Sequence, residues 1–357
     1  MAGLWGLLAV VLGVGGWFWW VDRRYAAAGQ FDSIFFISRG AFRLSLRCYD
    51  PRQPNGETVY LQHGLSANAA SFDVGCQPSL AIYLRDRGYR VYCGNLRAKG
   101  ESTGQPLRWS SADFGFDDLL EDLNTLLAYI GQRDAGAKPH FIGHSLGGIL
   151  GYCYAMTHPG RPFRSLTTIG SALDYRAGAS AYAPLTKLIP LAKNLPWMPV
   201  PIISKLLISL TRFAPAIRMN FHRPNVDDET VKRIMASVAE FESVRLMIQL
   251  ADLFSPKGLT STDGRTRYSK ELERVTVPTL AIAGAADVQC SPQAVEATLL
   301  AIGSSARRYR CFGRAYGQKE DYGHFDLLCG KQAATDIFPL IAEWIAAHAD
   351  STDAQQQ

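Results

Sequence analysis

The chain has 357 residues, of which 47% are hydrophobic and 19% are charged, and a formal net charge of +5. This composition suits one large globular domain with an insertion, or two smaller domains. The mild positive charge is not gathered into a basic stripe with interleaved aromatic residues, so we expect no nucleic-acid partner. The seven cysteines lack metal-ligand spacing, which favours free thiols in a reducing compartment. We expect no metal or other cofactor.

The first residues differ from the rest of the chain. Residues 2–21 form an uncharged apolar run that ends in a cluster of tryptophans and is followed by Arg23 and Arg24. At ~1.5 Å per residue in a helix, such a run spans the ~30 Å hydrocarbon core of a bilayer. The pattern predicts an uncleaved, single-pass transmembrane anchor with the large domain on the cytoplasmic side. A cleaved signal peptide is the alternative, but its positive charge would precede the apolar run.

From residue 31 onwards, β-like segments such as Thr58–Gln62 alternate with helix-like segments such as Asp113–Arg133. This alternation predicts an α/β fold with a mainly parallel sheet covered by helices on both faces. The alternation of strands and helices stops over residues 172–274, which are rich in proline and helix-like, and it resumes over residues 275–348. We therefore predict a core formed by residues 31–171 and 275–348 and a helical cap over 172–274, with one long amphipathic helix at Asp227–Leu253.

The most informative motif is Gly143-His144-Ser145-Leu146-Gly147, which lies between a predicted buried strand and a predicted buried helix. A Gly-x-Ser-x-Gly segment in this context is typical of a nucleophile elbow, a sharp turn that exposes a serine. Glycine fits on either side of the serine because the strand and the helix meet there closely. The motif predicts that Ser145 is a catalytic nucleophile, which then needs a base, an orienting acid and donors for an oxyanion.

Candidates for the acid and the base follow later strands, where ligands bind in an α/β sheet. Asp287 comes directly after the predicted strand Pro278–Gly284, and His324 follows the strand at Arg307–Phe312. The order Ser145, Asp287, His324 is that of hydrolases built on the elbow. Three other acids remain alternatives to Asp287; these are Asp174, Asp321 and Asp326. Two other histidines have structural interpretations: we expect His63 to shape a turn and His144 to hydrogen-bond behind the elbow.

Four short motifs together make the chain resemble the α/β-hydrolase superfamily, in particular its capped serine lipases and esterases. They are His63-Gly64-Leu65, Gly143–Gly147, Gly284-Ala285-Ala286-Asp287 and Gly323-His324. The loop Arg97–Ser102 is also similar to a loop of that superfamily but has Ala98 where glycine is usual. The resemblance implies a Ser145–His324–Asp287 triad and an oxyanion hole formed by the backbone amides of Leu65 and Leu146.

The sequence therefore predicts a membrane-anchored serine hydrolase that cleaves carboxylic esters through an acyl-enzyme. The apolar cap and the anchor favour lipophilic acyl esters or other lipids as substrates. Acyl transfer, or hydrolysis of thioesters or amides, would use the same triad. A non-catalytic, membrane-bound binding protein on the same fold is the alternative from a different functional class.

Overall fold

The computed structural model describes residues 2–27, 29–40, 42–75, 78–102, 114–160, 162–210 and 215–349. The strands in these ranges are β1 Ser33–Arg39, β2 Phe42–Tyr49, β3 Thr58–Gln62, β4 Arg90–Asn95, β5 His140–His144, β6 Leu166–Ile169, β7 Trp197–Met198, β8 Glu242–Ser243, β9 Thr279–Gly284 and β10 Arg307–Phe312. The helices of the core and the N-terminus are α1 Ala2–Arg24, α2 Leu80–Arg85, α3 Phe116–Arg133, α4 Leu146–Thr157, α10 Pro292–Ala301, α11 Asp326–Cys329, α12 Ala333–Asp336 and α13 Phe338–Ala346. The helices between β6 and β9 are α5 Ala183–Thr186, α6 Val200–Leu207, α7 Pro215–Asn220, α8 Asp228–Ser237 and α9 Val244–Ala251.

Eight of these strands form one sheet in the order β1-β2-β4-β3-β5-β6-β9-β10. The pairs β1–β2 and β2–β4 are antiparallel, and every other pair in the sheet is parallel. Parallel neighbours need crossover connections, which the helices between the strands supply. The predicted α/β architecture, a mostly parallel sheet flanked by helices, is confirmed.

The side chains of the central strands alternate between two cores, one on each face of the sheet. In β3, Tyr60 belongs to the core under α3 and α4, while Val59 and Leu61 belong to the opposite core under α2 and α13. In β5, Phe141 and Ile142 divide in the same way. The Tyr60 and Phe141 rings lie 5.4 Å apart. Because successive strand residues point to opposite faces, strands buried on both sides are apolar along most of their length.

Parallel strands bring their carboxyl ends to one edge of the sheet. His63 follows β3, Ser145 follows β5, and Asp287 lies three residues after β9. The helices of the cap lie between β6 and β9 in the chain and pack over this edge, so the predicted functional residues and the cap meet there.

The long helix predicted over Asp227–Leu253 is wrong. The structure has two shorter helices, α8 and α9, and between them β8 pairs with β7 in an antiparallel ribbon. The Ser243 hydroxyl accepts a hydrogen bond from the Leu246 amide and so caps the start of α9. Apolar residues recur at helical spacing on both sides of the interruption, which is why the pattern reads as one continuous helix.

The N-terminal segment forms helix α1, which extends to Arg24, beyond the predicted span of 2–21. The transmembrane helix predicted there is not found, because no helix in the described part of the chain combines the length and apolarity needed to cross a bilayer. The end of α1 packs on the cap instead of standing apart from it. Val21 is fully buried, the Trp17 indole N–H donates to the Lys205 carbonyl oxygen at 3.2 Å, and Asp22 pairs with the Lys205 ammonium at 2.6 Å.

Candidate active site

Ser145 occupies a sharp turn between β5 and α4. Its φ of +54° lies in the left-handed region, which is costly for a residue with a side chain. The close approach of strand and helix leaves room only for glycine on either side. A Cβ atom at Gly143 would lie 2.3 Å from the Gly147 carbonyl carbon, and one at Gly147 would lie 2.2 Å from the Gln62 carbonyl oxygen. The turn therefore has the geometry expected of a nucleophile elbow.

The structure brings His324 and Asp287 together at the end of the sheet. The Nδ1 atom of His324 lies 2.7 Å from Oδ2 of Asp287, and both residues are buried. The other carboxylate oxygen of Asp287 accepts backbone N–H groups from Gln289 at 2.8 Å and Cys290 at 3.0 Å. A carboxylate held in this way fixes the imidazole with its proton on Nδ1, which leaves Nε2 as the basic nitrogen.

The three alternative acids have other partners. Asp174 is bound by the guanidinium of Arg176, with one contact at 2.6 Å, and Asp321 accepts the Arg314 amide at 2.8 Å. Asp326 accepts N–H groups from Gly323 and His222 and from the Asn225 side chain. Asp287 is thus the acid that contacts His324, although Asp321 and Asp326 are much closer to it in sequence.

Two histidines beside the elbow are committed to structural hydrogen bonds. Nε2 of His144 lies 3.1 Å from the His324 carbonyl oxygen, and burial holds the pKa of His144 well below its usual range. Nδ1 of His63 lies 2.9 Å from the Gly64 carbonyl oxygen, and burial lowers the pKa of His63 to about 4. Both rings are therefore neutral at pH 7, and each orders a loop of the site.

The two predicted oxyanion residues lie on either side of Ser145. Leu146 is the first residue of α4, where backbone N–H groups have no partner within the helix. Leu65 lies in the turn after β3, and this turn touches the nucleophile: a Cβ atom at Gly64 would lie 3.0 Å from Cβ of Ser145. Both residues line the same cavity as Ser145, as a pair of oxyanion donors would have to.

A cavity of about 340 Å³ lies between this edge of the sheet and the cap. Ser145, His324, Leu65 and Leu146 all line it. Its remaining wall is largely apolar and comes mainly from the cap; the members include Tyr182, Leu185, Ile189, Val200, Ile234, Met235, Val238, Met247, Leu250, Leu253 and Phe254. The described lining residues include no aspartate, glutamate, lysine or arginine.

The described residues hold no cluster of three or more histidine, cysteine or acidic side chains that could bind a metal ion. Six cysteines of the described residues are buried; they are Cys48, Cys93, Cys153, Cys290, Cys311 and Cys329. Cys76 lies outside the described residues.

Comparison with known proteins places this geometry in a family. Residues 53–317, well over half of the chain, match the family described as serine aminopeptidase, S33. The chain belongs to this family of serine hydrolases. The resemblance to capped lipases and esterases of the α/β-hydrolase superfamily, predicted from four motifs, is thereby confirmed.

Relatives of this hydrolase carry lipase names. It is 25% identical to lipase member N of Mus musculus over 321 residues, which cover 79% of this chain and 78% of that protein. The structure is similar to a soluble variant of monoglyceride lipase from Saccharomyces cerevisiae, with a TM-score of 0.63, 13% identity and coverage of 92% and 99% of the two chains. It is also similar to monoacylglycerol lipase of Paleococcus ferrophilus, with a TM-score of 0.59, 20% identity and coverage of 86% and 99%. The two structural matches support the fold.

One residue that sequence reasoning missed touches the His324–Asp287 pair. Gly170 follows β6 with a φ of +59°, and a Cβ atom there would lie 3.1 Å from Nδ1 of His324 and 3.2 Å from Oδ2 of Asp287. A lone glycine after a strand gives no signal of such a contact. Gly170 leaves room for the imidazole and the carboxylate to meet.

We expect Gly170→Ala to lower kcat toward an ester by about tenfold or more, because its methyl group displaces His324 or Asp287. Gly40→Ala is a matched control, since Gly40 has a φ of +56° and open space around its Cβ position. Both variants carry a left-handed alanine, at a cost of roughly 1–2 kcal/mol in stability. Thermal melting and steady-state kinetics on both proteins separate the two effects. An equal change in kcat for the two variants would contradict the assigned contact.

Asp326 gives a pH-dependent prediction. Burial, opposed by its three donors, raises the pKa of Asp326 to about 7, whereas an unfolded aspartate titrates near ~3.9. The folded chain therefore binds this proton more tightly between these values. The stabilising contribution is complete below the unfolded pKa and is lost as the pH rises toward 7. We expect the melting temperature of wild type, measured relative to that of Asp326→Asn at the same pH, to be lower at pH 8 than at pH 4.5. A shift in the opposite direction would refute the raised pKa.

Proposed function

We propose that this hydrolase cleaves carboxylic esters through an acyl-enzyme, with Ser145 as nucleophile, His324 as base and Asp287 as the orienting acid. The observation that carries the proposal is the shared cavity. Ser145 and His324 both line it, and the buried Asp287 holds His324 from behind at 2.7 Å. A nucleophile, a base and a third group that orients the base are the parts that serine hydrolysis requires.

The reaction has two halves. The Ser145 oxygen attacks the ester carbonyl while Nε2 of His324 takes the hydroxyl proton, and the tetrahedral oxyanion is met by the amides of Leu65 and Leu146. The intermediate collapses when the carbon–oxygen bond to the leaving alcohol breaks, and His324 gives its proton to that alcohol. Water, deprotonated by His324, then attacks the acyl-Ser145 ester. The second tetrahedral intermediate collapses when the bond between the acyl carbon and the Ser145 oxygen breaks, which releases the carboxylic acid, and His324 returns its proton to the Ser145 oxygen. Asp287 stabilises the imidazolium in both halves.

The cavity supports a lipophilic acyl ester as substrate. Its wall is apolar, and an acyl chain loses contact with water when it enters, at about 25 cal/mol per Å² of apolar area. A peptidase that accepts a free amino terminus needs a negative group for the ammonium, and no described lining residue is acidic. This favours esters over aminopeptidase substrates, despite the name of the family. Acyl transfer remains possible with the same residues, because the acceptor in the second half decides between the two reactions.

We expect purified protein to hydrolyse p-nitrophenyl esters, with kcat/KM rising from the acetate to medium-length acyl chains. A fluorophosphonate should label Ser145, identified by mass spectrometry of the tryptic peptide. Ser145→Ala should abolish labelling and lower kcat by about 10⁴-fold or more, since the step that it removes has no substitute. Folded wild-type protein that neither labels nor turns over any ester would favour the non-catalytic binding protein.

We further propose that the hydrolase attaches to the cytoplasmic face of a membrane through α1 and the neighbouring surface of the cap. Most of the large apolar side chains that are exposed among the described residues belong to these two segments. They include Leu12, Trp19, Trp20, Leu188, Leu191, Leu195, Ile203 and Leu206. Residues 185–206 also carry Lys187 and Lys193 and have no acidic residue, while Lys205 is paired with Asp22 of α1. Apolar side chains with a cationic border are suited to an interface that contains anionic lipids.

Leucines of similar exposure test this attachment. Leu191 of the cap is 81% exposed, and Leu300 of α10 is 62% exposed. We expect Leu191→Asp to reduce co-flotation with vesicles of phosphatidylcholine and phosphatidylglycerol at least threefold, because the carboxylate would have to leave water. Leu300→Asp should float like wild type. Equal flotation of all three proteins would contradict the proposed surface.

A further inference from the structure

A buried ion pair joins the cap to the core beside the turn that follows β3, residues 63–66. Glu242 lies in β8 of the cap, and Lys99 lies in the loop after β4. The Lys99 ammonium is 3.0 Å from Oε1 of Glu242, and the two side chains are 3% and 1% exposed. Burying two charges is costly unless further hydrogen bonds satisfy them. The partners of this pair therefore indicate what the pair holds.

The carboxylate of Glu242 is aimed at the turn that follows β3. Its second oxygen, Oε2, accepts the backbone N–H of Ser66 at 2.7 Å. Its first oxygen also accepts the Ser243 amide at 3.0 Å. The ammonium of Lys99 donates in addition to the Phe241 carbonyl oxygen. Ser66 is thus the one group outside the cap and the Lys99 loop that this carboxylate binds among its described contacts.

Ser66 needs such a restraint. Its φ of +52° lies in the left-handed region, where a non-glycine residue persists only when its surroundings hold it. Its carbonyl oxygen accepts the Glu240 amide at 2.9 Å. Both backbone groups of Ser66 are therefore bound by the cap segment 240–242, and residues of the core sheet do not supply these two bonds.

The position of Ser66 bears directly on the oxyanion hole. It is bonded to Leu65, whose amide is the proposed second donor, and the preceding Gly64 packs against Ser145. A donor contributes fully only when it is already oriented toward the oxyanion. A bare carboxylate beside this turn would oppose the developing negative charge, and the ammonium of Lys99 offsets it.

We propose that Glu242, neutralised by Lys99, is a positioning residue that fixes the Leu65–Ser66 turn, so that the oxyanion hole is complete only when the cap is seated. This inference rests on the proposed function. It makes the cap part of the catalytic apparatus, because the group that orders the turn belongs to the cap. The turn supplies only a small part of the cavity wall, most of which comes from the cap, so the ion pair should affect kcat more than KM.

Two double variants separate the hydrogen bond to Ser66 from the ion pair itself. Lys99→Met/Glu242→Met removes both charges and the acceptor for Ser66. Lys99→Met/Glu242→Gln removes both charges but keeps a side-chain oxygen that can accept the Ser66 amide. Neither variant leaves one member of the Lys99–Glu242 pair as a lone buried charge, so both are expected to fold. Tyr268→Phe is the control, since it deletes another cap–core hydrogen bond, from the Tyr268 hydroxyl to Asp117 at 2.8 Å. The described hydrogen bonds of these two residues do not involve Ser66, Lys99 or Glu242.

Each protein is assayed with a p-nitrophenyl ester, and rates are normalised to the sites that a fluorophosphonate titrates. Inhibition by a trifluoromethyl ketone, which forms an oxyanion adduct, is measured beside inhibition by the product fatty acid. We expect the Met/Met variant to lose about tenfold or more in kcat and in ketone affinity. KM and fatty-acid inhibition should change less than about threefold. The Met/Gln variant should recover most of kcat, and Tyr268→Phe should keep it within about twofold.

The outcomes are distinct. A folded Met/Met variant with wild-type kcat and ketone affinity overturns the positioning role. Equal losses in the Met/Met and Met/Gln variants also overturn it, since the charges and not the Ser66 contact would then be responsible. A loss of thermal stability without a change in kcat per titrated site assigns the pair a purely structural role. A wild-type protein that is inactive toward all esters overturns the proposed function, and this inference with it.

Discussion

The arrangement of the site depends on the contact between the start of α4 and the ends of β3 and β5. Gly143 and Gly147 allow backbone to approach backbone so closely that any side chain would overlap. The strained Ser145 between them is held by its neighbours in the sheet. Its amide donates to the Ile169 carbonyl oxygen at 2.8 Å, and the Ser171 hydroxyl donates to the Ser145 carbonyl oxygen at 2.8 Å. The same close packing of α4 on β3 and β5 thus positions both the N-terminus of α4 and the strained Ser145.

The cap is joined to the loops that complete the site, so it is more than a cover. Ser66, in the turn after β3, is bound by the cap residues Glu240 and Glu242. On the other side, Phe325, which follows His324 in the chain, donates its amide to the carbonyl oxygen of the cap residue Asn220 at 2.8 Å. The core sheet does not supply these hydrogen bonds, since both loops lie beyond the ends of its paired strands. Any displacement of the cap would therefore change the geometry of both loops.

Short-range sequence patterns predicted the features of the fold that depend on residues close together in the chain. Alternation of strands and helices indicated the parallel sheet, because strands buried on both faces must be apolar. The elbow could be predicted because the glycines that its close backbone contacts require lie within five consecutive residues. The position of Asp287 followed from topology, since the strand before it had to end at the same edge as β5. The prediction of Asp287 over Asp326, which is nearer to His324 in sequence, rests on that topology. In the structure, Oδ2 of Asp287 lies 2.7 Å from Nδ1 of His324.

Long-range packing decided the rest. The segment after Asp227 has helical spacing throughout, yet pairing of β8 with β7 divides it, and no local propensity encodes a partner more than 40 residues away in sequence. Likewise, hydropathy marked residues 2–21 as apolar but did not reveal that Val21 is buried against the cap. By itself, the sequence determined the sheet, the elbow and the order of the chemical groups, because these depend on period and on glycine. Only the tertiary structure decided that Gly170 faces the His324–Asp287 pair and that Glu242 reaches Ser66, because both contacts join segments that are brought together by packing alone.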